Sequence, residues 1–198
     1  MNDTATALAG VTAFARGVRG EMPSVDEGLV ALRRLLAAAG VEGALVGGAA
    51  VIHHGYVRAT EDLHLLVERA DLDRLEPLLA AHGFERAKEN RLRHVPSGVD
   101  VDLLFGGERR PRPGSPPYPR PSEVARSDRE SDVVALPALV ELKLVARRHQ
   151  DLADVVELLK RLDEEAYFAL EASVPPELRA DLLRLRRDAL EELSLGES

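Results

Sequence analysis

The residues best able to do chemistry lie in two short stretches, LVGGAAVIHHGYVRATEDLHLLV at 45–67 and VDVDLLF at 99–105. In the first, an apolar run delivers the pair Gly47-Gly48, and Arg58, Thr60, Asp62 and His64 follow at alternate positions. Alternate side chains of a strand share a face, so Asp62 and His64 point the same way, as do Asp100 and Asp102. Glycines opening a helix leave backbone N–H groups at its positive dipole end, which suits a phosphate. Hard oxygen ligands beside a phosphate cradle meet the needs of divalent magnesium chemistry. A plain reading stands beside this one. Glycine belongs at any strand-to-helix turn, and half-exposed strands carry aspartates and histidines on their wet faces. The spacing from the glycine pair to Asp62 favours a site, whereas Asp100 alone reads as polar strand face. His53 and His54 read as helix-end residues rather than ligands.

The elements that must hold these residues are legible from periodicity. Ser24-x-x-Glu27 has the form of a capping box, and Leu29, Leu32, Leu35 and Leu36 follow at helical spacing until Gly40. Ala44–Val46 reads as a strand, Ala49–His54 as a short helix, and Leu63, Leu65 and Val67 mark a second strand. Asp71–His82 reads as an amphipathic helix ending at Gly83, with Pro77 in or near its first turns. Further strands are predicted near Arg91–Val95 and through Val99–Phe105. Six of the twelve prolines then fall between Pro111 and Pro121, interleaved with arginines, which predicts a mobile loop without regular structure. Tyr118 and these arginines could contact RNA, but one aromatic is thin support. Order resumes at Asp132–Leu136, one long helix is predicted over 137–162, and a last amphipathic helix follows Pro175-Pro176. The fold class expected is α+β: a small mixed sheet flanked by helices, with a helical C-terminal portion. The organisation expected is a loose arm at 1–22, a core at 23–136 including the loop 107–121, and helices at 137–198 packed on that core.

Composition narrows the function. The 198 residues contain no cysteine, which excludes disulfide scaffolds, zinc–thiolate sites and cysteine nucleophiles. With 26 basic and 34 acidic residues the net charge is −8, unfavourable for coating duplex DNA. No apolar run approaches the roughly 20 residues of a membrane span, and the opening lacks the basic and apolar regions of a signal peptide. These features predict a cytoplasmic protein without membrane partners. Only Lys88, Lys143 and Lys160 are lysines, so Lys143 stands out slightly in an arginine-biased chain.

Gly47-Gly48, Arg58-x-Thr60-x-Asp62 and Asp102-Leu-Leu together resemble the polymerase-β-type nucleotidyltransferase superfamily. The likeness is closest to its minimal bacterial branch, which includes the AbiEii-like toxins, and spans about 28–105 together with the helix ELKLVARRHQDLADVVELL. The resemblance implies that Gly47 and Gly48 cradle a nucleoside triphosphate and that Arg58 and Thr60 position the strand or touch substrate. It makes Asp62 and Asp102 metal ligands for Mg2+ or Mn2+. It implies transfer of a nucleoside monophosphate to a hydroxyl of RNA or protein, and in toxin-like members an antitoxin partner. The chain departs from the family at one place: His64 stands where the second aspartate of the Asp-x-Asp pair belongs. Imidazole brings no negative charge and prefers softer ions than magnesium. Two readings follow, an enzyme with an altered site at Asp62, His64 and Asp102, or a silent fold binding a nucleotide, an RNA or a partner. Lys143, Arg147, Asp151 and Asp154 recur on one face of the predicted long helix. By composition that is a solvated face with weak ion pairs. By resemblance it faces the cleft and brings Lys143 to a phosphate.

Overall fold

The structure, a computed structural model, describes residues 24–128 and 132–196. The arm expected at 1–22 lies outside the described residues. Helix α1 (Val25–Ala39) buries Leu29, Leu32, Leu35 and Leu36 and ends at Gly40, whose left-handed backbone closes it. The capping box does not form. Ser24 makes no side-chain cap; its N–H donates instead to the Ser97 carbonyl, which ties the start of α1 to the sheet. Strand β1 (Ala44–Val46) runs straight into α2 (Gly47–His53), two residues earlier than the periodicity suggests. Strand β2 (Asp62–Val67) is followed by one short helical turn, α3 (Leu72–Leu75), set among three 3-10 turns. Pro77 occupies the turn Glu76–Leu78 and has no N–H to donate, so a continuous helix over 71–82 cannot propagate.

Strands β3 (Phe84–Lys88), β4 (Arg91–His94) and β5 (Val99–Phe105) complete a five-stranded mixed sheet in the order β1-β2-β5-β4-β3. Strands β2 and β5 are parallel, and every other pair is antiparallel. The sheet alternates cleanly. Leu63, Leu65, Val99, Val101 and Leu103 are buried in the core with α1, while Asp62, His64, Asp100 and Asp102 remain half-buried on the other face. Strand β3 was not expected, because FERAK shows too little apolar alternation to announce a strand.

After the proline-rich segment the chain returns to the sheet, and Leu45 bridges Val133 in parallel beside β1. Four helices follow: α4 (Leu136–Ala146), α5 (His149–Leu159), α6 (Glu164–Ser173) and α7 (Pro176–Gly196). The helix expected over 137–162 is therefore two, with Arg147 left-handed at φ 53° between them. Helix α6, also unexpected, starts at Asp163, whose carboxylate accepts the Ala166 N–H at 2.8 Å. Helix α4, LPALVELKLVA, is apolar on nearly all sides because it serves two cores. Leu139 belongs to the sheet core, and Val140 and Leu144 join a second cluster with α5, α6 and α7. The expected class, α+β with a helical C-terminal region, is the one observed. Among the described residues no helix is long and apolar enough to cross a membrane.

Candidate functional site

The parallel register of β2 and β5 pairs Asp62 with Asp100 and His64 with Asp102. Side chains of all four share one sheet face, and Asp62, His64 and Asp102 converge. One ligand atom from each lies within 4.8 Å of the other two, although the aspartates are 40 positions apart. His64 sits between the carboxylates. Its Nδ1 is 3.7 Å from Asp62 Oδ1 and its Nε2 is 3.8 Å from Asp102 Oδ2. Both separations exceed hydrogen-bond length, and Nδ1 is buried with no hydrogen-bond partner.

Asp102 is also held from the next strand. In the antiparallel β4–β5 pair Arg91 faces Asp102, and its guanidinium grips the carboxylate through Nε at 2.5 Å and Nη2 at 3.0 Å. That hydrogen bond raises the arginine pKa above its ordinary value. Arg91 and Arg93 both reach Asp100 as well, at 3.4 and 3.1 Å. The clamp is readable in principle, because Arg91-x-Arg93 and Asp100-x-Asp102 flank the turn at 95–98 symmetrically.

His64 and Asp102 line a cavity of about 360 Å³ beside Gly47. Gly47 is needed there for two reasons. Its φ is +65°, and a Cβ on it would lie 2.9 Å from His64 Nδ1. Gly48 serves another purpose: its missing Cβ makes room for Thr60, whose hydroxyl would be 2.5 Å away. Thr60 Oγ1 donates to the Asp62 carbonyl at 3.2 Å, so this threonine fixes the entry to β2. With seven residues, α2 carries only a small dipole, and the glycines act here chiefly through space.

Lys143, Asp151 and Asp154 differ most from the sequence reading. They do not form an exposed face of one helix. The break at Arg147 folds α5 back on α4, and Lys143, Asp151 and Asp154 are 4%, 3% and 0% exposed. Lys143 Nζ donates to Asp154 at 2.6 Å and to Asp151 at 3.3 Å. Arg58 grips Asp154 from the β2 side at 2.7 and 3.0 Å, Gln150 adds a bond at 3.0 Å, and Arg148 holds Asp151 at 2.7 Å. Burial pushes the Asp154 carboxyl up, but the bonds from Arg58, Lys143 and Gln150 outweigh it and hold the carboxyl below its usual range. Arg147 points elsewhere, to Asp181 on α7. Arg58 is thus a strut between the sheet and the helical hairpin, and Lys143 reaches the cavity wall with its charge already engaged.

The proline-rich segment contains no helix or strand, as expected, but it is tied to the rest of the chain at several points. The Gly107 N–H donates to the Tyr118 carbonyl and the Tyr118 N–H to the Glu108 carbonyl, Tyr118 packs against the sheet core, and Arg120 reaches Glu68 at 2.7 Å. Arg110 and Tyr118 line the cavity. Nothing in the sequence marks Arg110 apart from its neighbours.

No family model matches the chain, and no curated protein matches it in sequence.

The structure therefore brings Gly47, His64, Asp102 and Lys143 to one cavity and joins Asp62 to it through His64. It gives Gly48, Arg58 and Thr60 supporting positions instead. His54, read as a helix-end residue, bonds the Val134 carbonyl at 2.8 Å through Nε2.

Proposed function

We propose that this protein is a nucleotidyltransferase of the polymerase-β type with an altered metal site. It would transfer a nucleoside monophosphate from a nucleoside triphosphate to an acceptor hydroxyl on RNA or protein. One observation carries the reading: Asp62, His64 and Asp102 converge within 4.8 Å beside the glycine turn at the edge of a nucleotide-sized cavity. The resemblance of Gly47-Gly48, Arg58-x-Thr60-x-Asp62 and Asp102-Leu-Leu to that superfamily supports it.

The donor set fits a divalent cation. Two carboxylates and an imidazole with an unpartnered buried nitrogen suit Mn2+ better than Mg2+, which favours oxygen alone. Asp62, His64 and Asp102 would hold the ion, which when bound acidifies the attacking hydroxyl and offsets charge on the leaving pyrophosphate. In the reaction the acceptor oxygen forms a bond to the α-phosphorus, the bond to the β-phosphate oxygen breaks, and the acceptor proton is lost to solvent. The chain's own part is placement. Gly47 leaves room for the His64 ring, Arg91 orients Asp102, and the Arg58–Asp154–Lys143 strut holds the cavity walls in register.

A second reading rests on Arg91. Its grip on both oxygens of Asp102 competes with an ion, and this favours a silent fold that binds a nucleotide without turning it over. Labelled nucleoside triphosphates with cellular RNA, cellular protein and Mn2+ or Mg2+ decide between them. Label covalently attached to RNA or protein, lost in Asp62→Asn, is expected. Absence of transfer by the folded protein with both ions rejects the enzyme reading in favour of the silent one.

A further inference from the structure

The wall facing the carboxylates has the opposite character. Four basic side chains line the cavity, Arg110, Arg112, Lys143 and Arg148, against two acidic ones, Asp102 and Asp151, in a chain of net charge −8. Most of these charges are already matched. Lys143 and Arg148 are held by Asp151, and Asp102 is held by Arg91. Arg110 and Arg112 have no such partner within 4 Å among the described residues. Arg110 is only 9% exposed, yet among the described residues it makes no ion pair within 4 Å, and its Nη1 is buried without a hydrogen-bond partner. Its polar contact is a bond from Nε to the Pro117 carbonyl at 3.3 Å, and its guanidinium lies 5.1 Å from the Tyr118 ring centre. Arg112 makes one long bond, to the Val145 carbonyl at 3.5 Å.

Glu141 acts on Arg110 only from beyond ion-pair distance. A buried guanidinium with no carboxylate in contact is costly, and an anion supplied by a ligand lowers that cost. Two forked guanidinium groups two residues apart on one loop match the spread oxygens of a diphosphate. We infer that Arg110 and Arg112 form an anion subsite in this cavity, which takes the pyrophosphate group of its ligand. This rests on the reading of the cavity as a nucleotide site, but it places the phosphate tail on the proline-rich segment rather than on the glycine turn. Backbone bonds from the Gly107 N–H to the Tyr118 carbonyl and from the Tyr118 N–H to the Glu108 carbonyl close the loop that carries both arginines.

Calorimetry of the full chain in chelator, without divalent metal, tests the inference with inorganic pyrophosphate, ATP and adenosine as probes. Pyrophosphate and ATP are expected to bind, and adenosine to bind at least tenfold more weakly than ATP. Arg110→Gln and Arg112→Gln should each weaken pyrophosphate about tenfold, while the remote Arg184→Gln leaves it unchanged. A parallel loss for ATP identifies the triphosphate tail as the occupant, and a loss for pyrophosphate alone identifies the free product. Should Arg110→Gln fail to fold, the exposed Arg112 decides the matter alone. Wild-type pyrophosphate affinity in the folded arginine variants, or no pyrophosphate binding by the wild type, overturns the inference. Failure of nucleotidyl transfer leaves these metal-free results standing, so the two proposals fail separately.

Discussion

Replacing Lys143 by alanine should cost about 3 kcal/mol of folding stability. The side chain is 4% exposed and its ammonium bonds Asp154 at 2.6 Å and Asp151 at 3.3 Å, both inside the protein. Breaking a buried ion pair costs roughly 3–5 kcal/mol, because a charge remains that has lost water and partner alike. Asp154 keeps Arg58 and Gln150, and Asp151 keeps Arg148, so the loss falls at the lower end. Urea unfolding reads it directly. With a slope of about 2–3 kcal/mol per molar for a chain of this size, the midpoint should fall by about 1–1.5 M. Lys143→Met, which keeps most of the stem, should lose nearly as much, since the charge is what matters. The acid limb of stability should move too. Because its folded pKa is depressed, Asp154 stabilises the native state above its ordinary carboxylate pKa, and this is lost as pH falls through the folded value. Without Lys143 that depression shrinks, so acid unfolding begins at higher pH. A loss below about 1 kcal/mol, the worth of an exposed pair, would refute the buried strut.

Gly47→Ala should cost about 1–2 kcal/mol in urea unfolding, since it forces an L residue to a φ of +65° and drives a methyl against the His64 ring. Arg91→Ala should strengthen Mn2+ binding several-fold by freeing the Asp102 oxygens, at a stability cost of no more than about 1 kcal/mol for a part-exposed pair. Unchanged Mn2+ affinity in that variant would show that the clamp does not compete with the ion. His64→Asp should shift the preference from Mn2+ toward Mg2+ in metal titrations, because it exchanges imidazole for a hard oxygen donor. The same ion preference in both proteins would remove His64 from the ligand set.

The sheet strands that carry the site were legible because their sequences alternate: Leu63, Leu65 and Val67 on β2 and the VDVDLLF pattern on β5 each fix a face. That alternation puts Asp62 with His64 on one face of β2 and Asp100 with Asp102 on one face of β5. Whether β2 and β5 are neighbours depends on topology, which local periodicity does not contain. The helical region was less legible for a physical reason. Arg147 ends α4 without glycine or proline, and only Asp151, three residues after Arg148, hints at a new start by accepting the Arg148 N–H at 3.3 Å. Read through that break, Lys143, Asp151 and Asp154 form an apparent charged stripe, and a buried network looks like a wet surface. The proline-rich segment lacks helix and strand, as its composition signals. What composition does not contain is that Tyr118 packs against the sheet core and Arg110 lines the cavity, contacts distant in sequence.

The central claim is that Asp62, His64 and Asp102 act as one ligand set, and titration of the folded chain with Mn2+ by electron paramagnetic resonance tests it most directly. One ion per chain is expected. Asp62→Asn and His64→Ala should each weaken it by more than tenfold while their urea midpoints stay close to that of the wild type. Variants that bind Mn2+ as tightly as the wild type, or a wild-type chain that binds none, would contradict the claim.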